Sequence, residues 1–222
     1  MRKVLILVEG QTEERFIKDV LEPHLSSAGV YPVPKLATTK RVKHGADFKG
    51  GITDFGKVKD DLRRLLGDTD AALITTMIDY YGLPNDFPGK RSLQGQNSRE
   101  RVRELEAALE EHLNAGPRFL AYFMIHEFEA LLFSDPKVLA EVMNLPETRT
   151  RLQDIRNGFP TPEDINDDPH TRPSARVHTL FPAYRKRLHG PITSGRIGLD
   201  IMRRECPHFN RWVSRLESLS GS

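Results

Sequence analysis

The chain has 222 residues, of which 38% are hydrophobic and 29% charged, a balance ordinary for a soluble domain that buries roughly 70% of its unfolded surface. With 33 Lys and Arg against 31 Asp and Glu the formal net charge is only +2, so bulk charge gives no argument for a nucleic-acid partner. No apolar run approaches the roughly 18 residues of a membrane span, the Met-Arg-Lys start lacks a signal-peptide core, and the single Cys206 forms no internal disulfide, so a cytoplasmic protein without membrane contact is expected.

Residues 3–8, KVLILV, are an apolar β-branched run and predict a strand. In GQTEERFIKDVLEPHL, Phe16, Ile17, Val20, Leu21 and Leu25 recur at helical spacing, with Thr12 as the candidate cap and Pro23 expected to kink the last turns. A weaker extended segment lies near 30–38. It is followed by TTKRVKHGADFKGG, an aperiodic loop whose Lys40, Arg41, Lys43 and His44 form a basic cluster. Asp54 is placed to cap a helix carrying Phe55, Val58, Leu62, Leu65 and Leu66, and AALITTMID then reads as a buried strand. The connection over 82–97 is long and rich in turn formers, which suggests a functional loop, and Ser98 is the candidate cap of the helix after it. RFLAYFMI predicts a fourth strand running into HEFEALLFSDP, and beyond about 135 no convincing strand remains. Buried strands alternating with amphipathic helices predict an α/β fold with a mostly parallel sheet of about four strands flanked by helices. Residues 1–134 form the expected core and 135–222 a helical C-terminal extension packed on it.

Three strand ends carry acids: Glu9 after the first, Asp79 at the end of the third, and Glu127 and Glu129 after the fourth. Ligands of open parallel sheets bind outside the carboxyl ends of the strands, so neighbouring strands bring these carboxylates together. Such a group raises its own pKa values unless a cation neutralises it, and hard oxygen donors suit Mg2+ or Mn2+. Glu13, one helical turn after Glu9, faces the same site or is a solvated first-turn acid. Glu127 and Glu129 share a face only in extended chain, so one is the ligand and the other a supporting or helix-start acid. HEFEA lacks the second His of a zinc-protease helix, PGKRS lacks the spacing of a phosphate-binding loop, and paired Cys or Gly-x-Ser-x-Gly motifs do not occur.

The runs VEGQTEERF and ITTMIDYYGLP resemble the Toprim superfamily, the catalytic domain of topoisomerases, bacterial primases and overcoming-lysogenization-defect nucleases. That resemblance implies a Toprim-like sheet with a Glu after the first strand, matched by Glu9, and an Asp-x-Asp after the third, whose first Asp is matched by Asp79. Tyr81 stands where the second Asp belongs. VEG-x-TE resembles the nuclease branch especially, and HEFEALLFSDP, PEDIND, RPSAR and CPHFNRW extend a likeness to a bacterial Toprim-like family known only as a domain of unknown function. The resemblance implies a metal-dependent phosphodiesterase on DNA or RNA with Glu9 and Asp79 as metal ligands; Glu127 or Glu129, delivered by the next strand, is the candidate for the carboxylate that Tyr81 does not supply, and Glu9 or Glu13 the candidate general base. Relatives of this general type often accompany an ATPase in phage-defence operons, which implies an ATPase partner. Two other readings stay open: a non-catalytic module binding nucleic acid or the ATPase, and a nucleotidyl transferase.

From Pro169 onward there are ten Arg or Lys against three acids. Arg172, Arg176 and Lys186 are the candidate phosphate contacts there, together with Lys90 and Arg91 in the long loop, which is a candidate lid.

Overall fold

The computed structural model describes residues 1–38, 52–165, 168 and 170–221; the basic cluster at Lys40, Arg41, Lys43 and His44 lies outside them. Five strands, β1 (Arg2–Val8), β2 (Val30–Leu36), β3 (Ala71–Asp79), β4 (Phe119–Leu120) and β5 (Phe123–Met124), form a sheet in the order β2-β1-β3-β4, with β5 continuing beside β3. Every pairing is parallel. β2 lies on one side of β1 and β3 on the other. The connections out of β1 and β2 therefore cover opposite faces, and the strand ends part between β1 and β3.

Alternation along the strands builds two cores. Val4, Ile6, Val8, Leu73 and Met77 face one side, where α1 (Gln11–Phe16) and α2 (Glu22–Ser27) meet the C-terminal helices. Leu5, Leu7, Ile74 and Ile78 face the other, under α3 (Phe55–Leu66) and α4 (Ser98–Leu113). Fully buried Phe16 and Phe128 meet edge-to-face at 5.6 Å on the first side, a geometry worth about 0.5–1.5 kcal/mol beyond burial. Trp212 stacks on Tyr122 at 4.5 Å and donates its Nε1–H to Thr75 Oγ1, tying the last long helix to the sheet.

Both sheet edges are protected. Pro32 and Pro34 are tolerated because β2 is an edge strand and alternate backbone nitrogens point away from β1. On the far edge, Glu110 accepts the amide of Ala121 and Glu106 that of Phe123. The strand expected over RFLAYFMI is interrupted at 121–122: Thr76 Oγ1 accepts the Tyr122 N–H at 2.8 Å and donates to its carbonyl at 2.7 Å, so a side chain replaces a ladder rung.

Helix starts depart from the sequence reading at two places. Gly10, not Thr12, occupies the N-cap of α1, and Thr12 is buried one residue inside the helix. Asn97, not Ser98, caps α4 by accepting Glu100 N–H, whereas Asp54 caps α3 as expected. Before Pro23, which lacks an N–H to continue the ladder, residues Ile17–Leu21 widen into a π turn between α1 and α2.

After β5 come α5 (Glu129–Leu132), α6 (Pro136–Val142), α7 (Arg149–Asn157), α8 (Pro173–Leu180), α9 (Lys186–Ile197), α10 (Leu199–Glu205) and α11 (Pro207–Glu217). Glu163 anchors this extension: its carboxylate accepts the His208 and Phe209 amides at the start of α11, 3.4 Å from Arg99 of α4. Among the described residues no helix is long and apolar enough to cross a membrane.

Candidate functional site

The acids after β1 and β3 meet at the parting of the strands. Glu9 follows Val8 directly, Asp79 is the last residue of β3, and Glu13 lies one turn along α1. The Tyr80 and Tyr81 amides continue the ladder to Met124 and His126 carbonyls, which brings the chain after β5 alongside. His126 then adopts φ 68°, a left-handed conformation uncommon for a residue with a Cβ. The turn sends Glu127 and Glu129 in different directions, so neither the extended nor the helical rule relates them.

Glu129 is 1% exposed and turns into the cluster, where Tyr184 donates its hydroxyl to Oε1 at 3.3 Å. Glu127 turns toward α8: it accepts the Ser174 N–H and Oγ–H, each at 3.0 Å, with Arg172 Nε 3.5 Å away. Asp79 Oδ1 accepts the Phe128 N–H at 3.0 Å.

At the centre is an ammonium rather than the second acid of a carboxylate pair. Lys186 Nζ lies 2.9 Å from Asp79 Oδ2, 3.4 Å from Glu13 Oε1 and 3.6 Å from Glu129 Oε2. A third of this side chain remains exposed, so the stem runs in from the surface while the charged tip enters the cluster. Its aim is set one turn later, where a Cβ on Gly190 would stand 3.0 Å from Thr12 Cγ2 and 3.3 Å from Phe128 Cε1. Only glycine lets α9 approach α1 this closely without displacing either side chain.

The charges do not balance. Burial, then the Asp79 charge, pushes the Glu9 carboxyl up to about 8, with Lys186 opposing and Glu13 adding to the rise. Burial raises Glu129 to about 7, with Lys186 pulling it down and Asp79 and Glu127 pushing it up. Glu13 is raised for the same reasons, burial first. Burial lowers the Lys186 ammonium, but Asp79, Glu129, Glu13 and Glu9 outweigh it and hold it well above its ordinary value. Among the described residues four carboxyl groups thus share one cation, and the buried Glu13 Oε1 and Glu129 Oε2 accept no hydrogen bond.

The cluster gathers Glu9, Glu13, Asp79, Glu129 and Lys186, with Glu127 one contact removed. Arg172 stacks its guanidinium 4.7 Å over the Tyr81 ring and stands between that ring and Glu127. Arg176 lies farther along α8, over the Phe159 ring. Lys90 sits 4.2 Å over Tyr80, a residue of the core under α3 and α4, and Arg91 is exposed beside Asn85 and Asp86. The sequence reading missed Ser174, Tyr184 and Gly190. Of these only Ser174, directly after a helix-starting proline, carried a local signal, that of free amides at a helix start.

A family model described as Domain of unknown function (DUF4276) matches residues 8–217, from the last residue of β1 to the last of α11. The chain belongs to this family. The DUF4276 match takes in all four clustered acids, Lys186 and Gly190 together. No curated protein and no solved structure matches the chain.

Proposed function

We propose that this DUF4276 chain is a cytoplasmic, metal-dependent phosphodiesterase of the Toprim type, acting on DNA or RNA. The observation that carries the reading is the excess of carboxyl groups: buried Glu13, Asp79 and Glu129 and half-buried Glu9 converge at the sheet's carboxyl ends on Lys186, the one ammonium there among the described residues. The donor set fits Mg2+ or Mn2+: all are hard oxygens, and two buried ones accept no hydrogen bond among the described residues. Bound by Asp79, Glu129 and Glu9, the ion would supply charge stabilisation at a phosphoryl oxygen and lower the pKa of a coordinated water.

The chain's own groups have definable roles. The Phe128 amide and the Tyr184 hydroxyl each fix one oxygen of Asp79 and Glu129, so the second oxygen of each stays turned toward the centre. Glu9, with its carboxyl pushed up to about 8 in the metal-free chain, must give up a proton to bind the ion, which leaves Glu13, also raised by burial, as the group suited to proton transfer to or from a reacting oxygen. Lys186, on a stem reaching in from the surface, can shift its ammonium from the carboxylates to a substrate phosphate.

The test is cleavage of labelled DNA and RNA with Mg2+ or Mn2+. Asp79→Ala is expected to abolish it, and undiminished cleavage by that variant would falsify the assignment.

One observation favours a second reading, a non-catalytic module for nucleic acid or a partner ATPase. Lys186 already takes the position of a cation, and among the described residues no three His, Cys, Asp or Glu side chains are arranged to hold a metal directly. Calorimetric titration with Mg2+ and Mn2+ separates the two, since such a module need take up neither ion.

A further inference from the structure

Between α7 and α8, away from the acids, lies a cavity of about 390 Å³ lined by Arg151, Asp154, His170, Arg176 and Thr179 among others. Among the described residues neither of its arginines forms an ion pair. Arg176 is half-buried; its Nε–H donates to the Thr171 carbonyl and its guanidinium lies 5.4 Å from the centre of the Phe159 ring, but no carboxylate pairs with it among the described residues. Burial without an opposite charge lowers its pKa. Among the described residues Arg151, exposed across the cavity, makes no ion pair or side-chain hydrogen bond either, although Asp154 lines the same space. Two guanidinium groups with open donor forks around one concavity match the oxygens of a phosphate.

The cavity is joined to the acid cluster by one element. Ser174 at the start of α8 holds Glu127, Arg172 just before it covers Tyr81, and Arg176 and Thr179 line the cavity farther along. At about 1.5 Å rise per residue, Ser174 and Thr179 are about 7.5 Å apart along the axis.

We propose that this cavity is a phosphate-binding subsite for a nucleic-acid strand, holding a backbone phosphate a few nucleotides from the one presented to the acid cluster. The inference rests on the nucleic-acid reading of that cluster for its substrate class, but its test does not require cleavage. Binding of a labelled single-stranded oligonucleotide is measured by fluorescence anisotropy in EDTA over a range of salt, for the wild-type chain, Arg151→Ala and Arg151→Lys. Loss of one phosphate contact lowers the log–log salt slope by about 0.7, which is about fivefold in affinity at 0.1 M salt. The lysine variant is expected to restore most of both. Arg151 is exposed and has no ion-pair partner among the described residues, so neither substitution threatens the fold.

Unchanged affinity and slope in Arg151→Ala overturn the subsite, as does a wild-type chain that binds no oligonucleotide. Competition with inorganic phosphate and a mononucleotide separates the sources: if Arg151→Ala weakens only these, the cavity takes a small phosphate and the strand proposal fails. Metal-dependent cleavage with an unaltered Arg151→Ala binding curve removes the subsite and keeps the enzyme. The Arg151-dependent slope without any cleavage does the reverse.

Discussion

Replacing Lys186 by Met removes the one ammonium in the cluster and keeps the stem. Its tip lies within 3.6 Å of Glu13, Asp79 and Glu129, whose exposures are 2%, 7% and 1%. Breaking a buried ion pair by deleting one partner typically costs 3–5 kcal/mol, because a charge is left without compensation. Here the cost has a ceiling, since a carboxyl group can take up a proton instead. For a glutamate of ordinary value 4.5 this uptake at pH 7 costs about 1.36 × 2.5, or about 3.4 kcal/mol, and at pH 5 about 0.7 kcal/mol.

The variant's carboxyl values rise further above those of the unfolded chain. Stability is therefore retained near and below pH 4.5 and lost as pH rises. With the Lys186 side chain 36% exposed and in part screened by water, the expected deficit against wild type is at most about 3 kcal/mol at pH 7, shrinking to about 1 kcal/mol or less at pH 5. Urea unfolding followed through Trp212, the single tryptophan, measures both. A deficit equal at the two pH values, or larger at pH 5, refutes the account of the cluster as proton-buffered.

The metal-free wild type should lose stability as pH rises from 4.5 through about 7 and 8, the raised values of Glu129 and Glu9. Mn2+ competes with those protons, so its upward shift of the melting temperature is expected to be larger at pH 8 than at pH 5; equal shifts argue for a site elsewhere. Thr76→Val keeps the shape of the side chain and strands the Tyr122 amide and carbonyl between β4 and β5. A loss of about 1–3 kcal/mol in denaturant unfolding is expected, and a neutral result means the rung is not needed.

Asp79 and Glu9 were legible in the sequence because a charge closing an apolar strand has few solvated explanations, and strand alternation put both at the same edge. Lys186 was legible only as part of a basic run. Its partner Asp79 lies 107 residues away, and no periodicity spans that distance. The choice between Glu127 and Glu129 turned on the left-handed backbone at His126, a conformation that residue type alone does not signal. The fourth strand read as continuous because nothing in RFLAYFMI is a breaker; its interruption is made by a threonine on a different strand. The caps slipped by one or two residues because Thr12 and Ser98 are as suitable in chemistry as Gly10 and Asn97, and packing decided between them.

The cluster also has an order of assembly. Glu9, Glu13 and Asp79 are synthesised well before the lysine that pairs with them. At about 5–20 residues per second, the 107 residues from Asp79 to Lys186 take about 5–20 s to add. Through that interval a nascent sheet must keep these acids protonated, hydrated or bound to a cation from the surroundings. Closure of the carboxyl end therefore waits for α9, whose Lys186 brings the acids an ammonium.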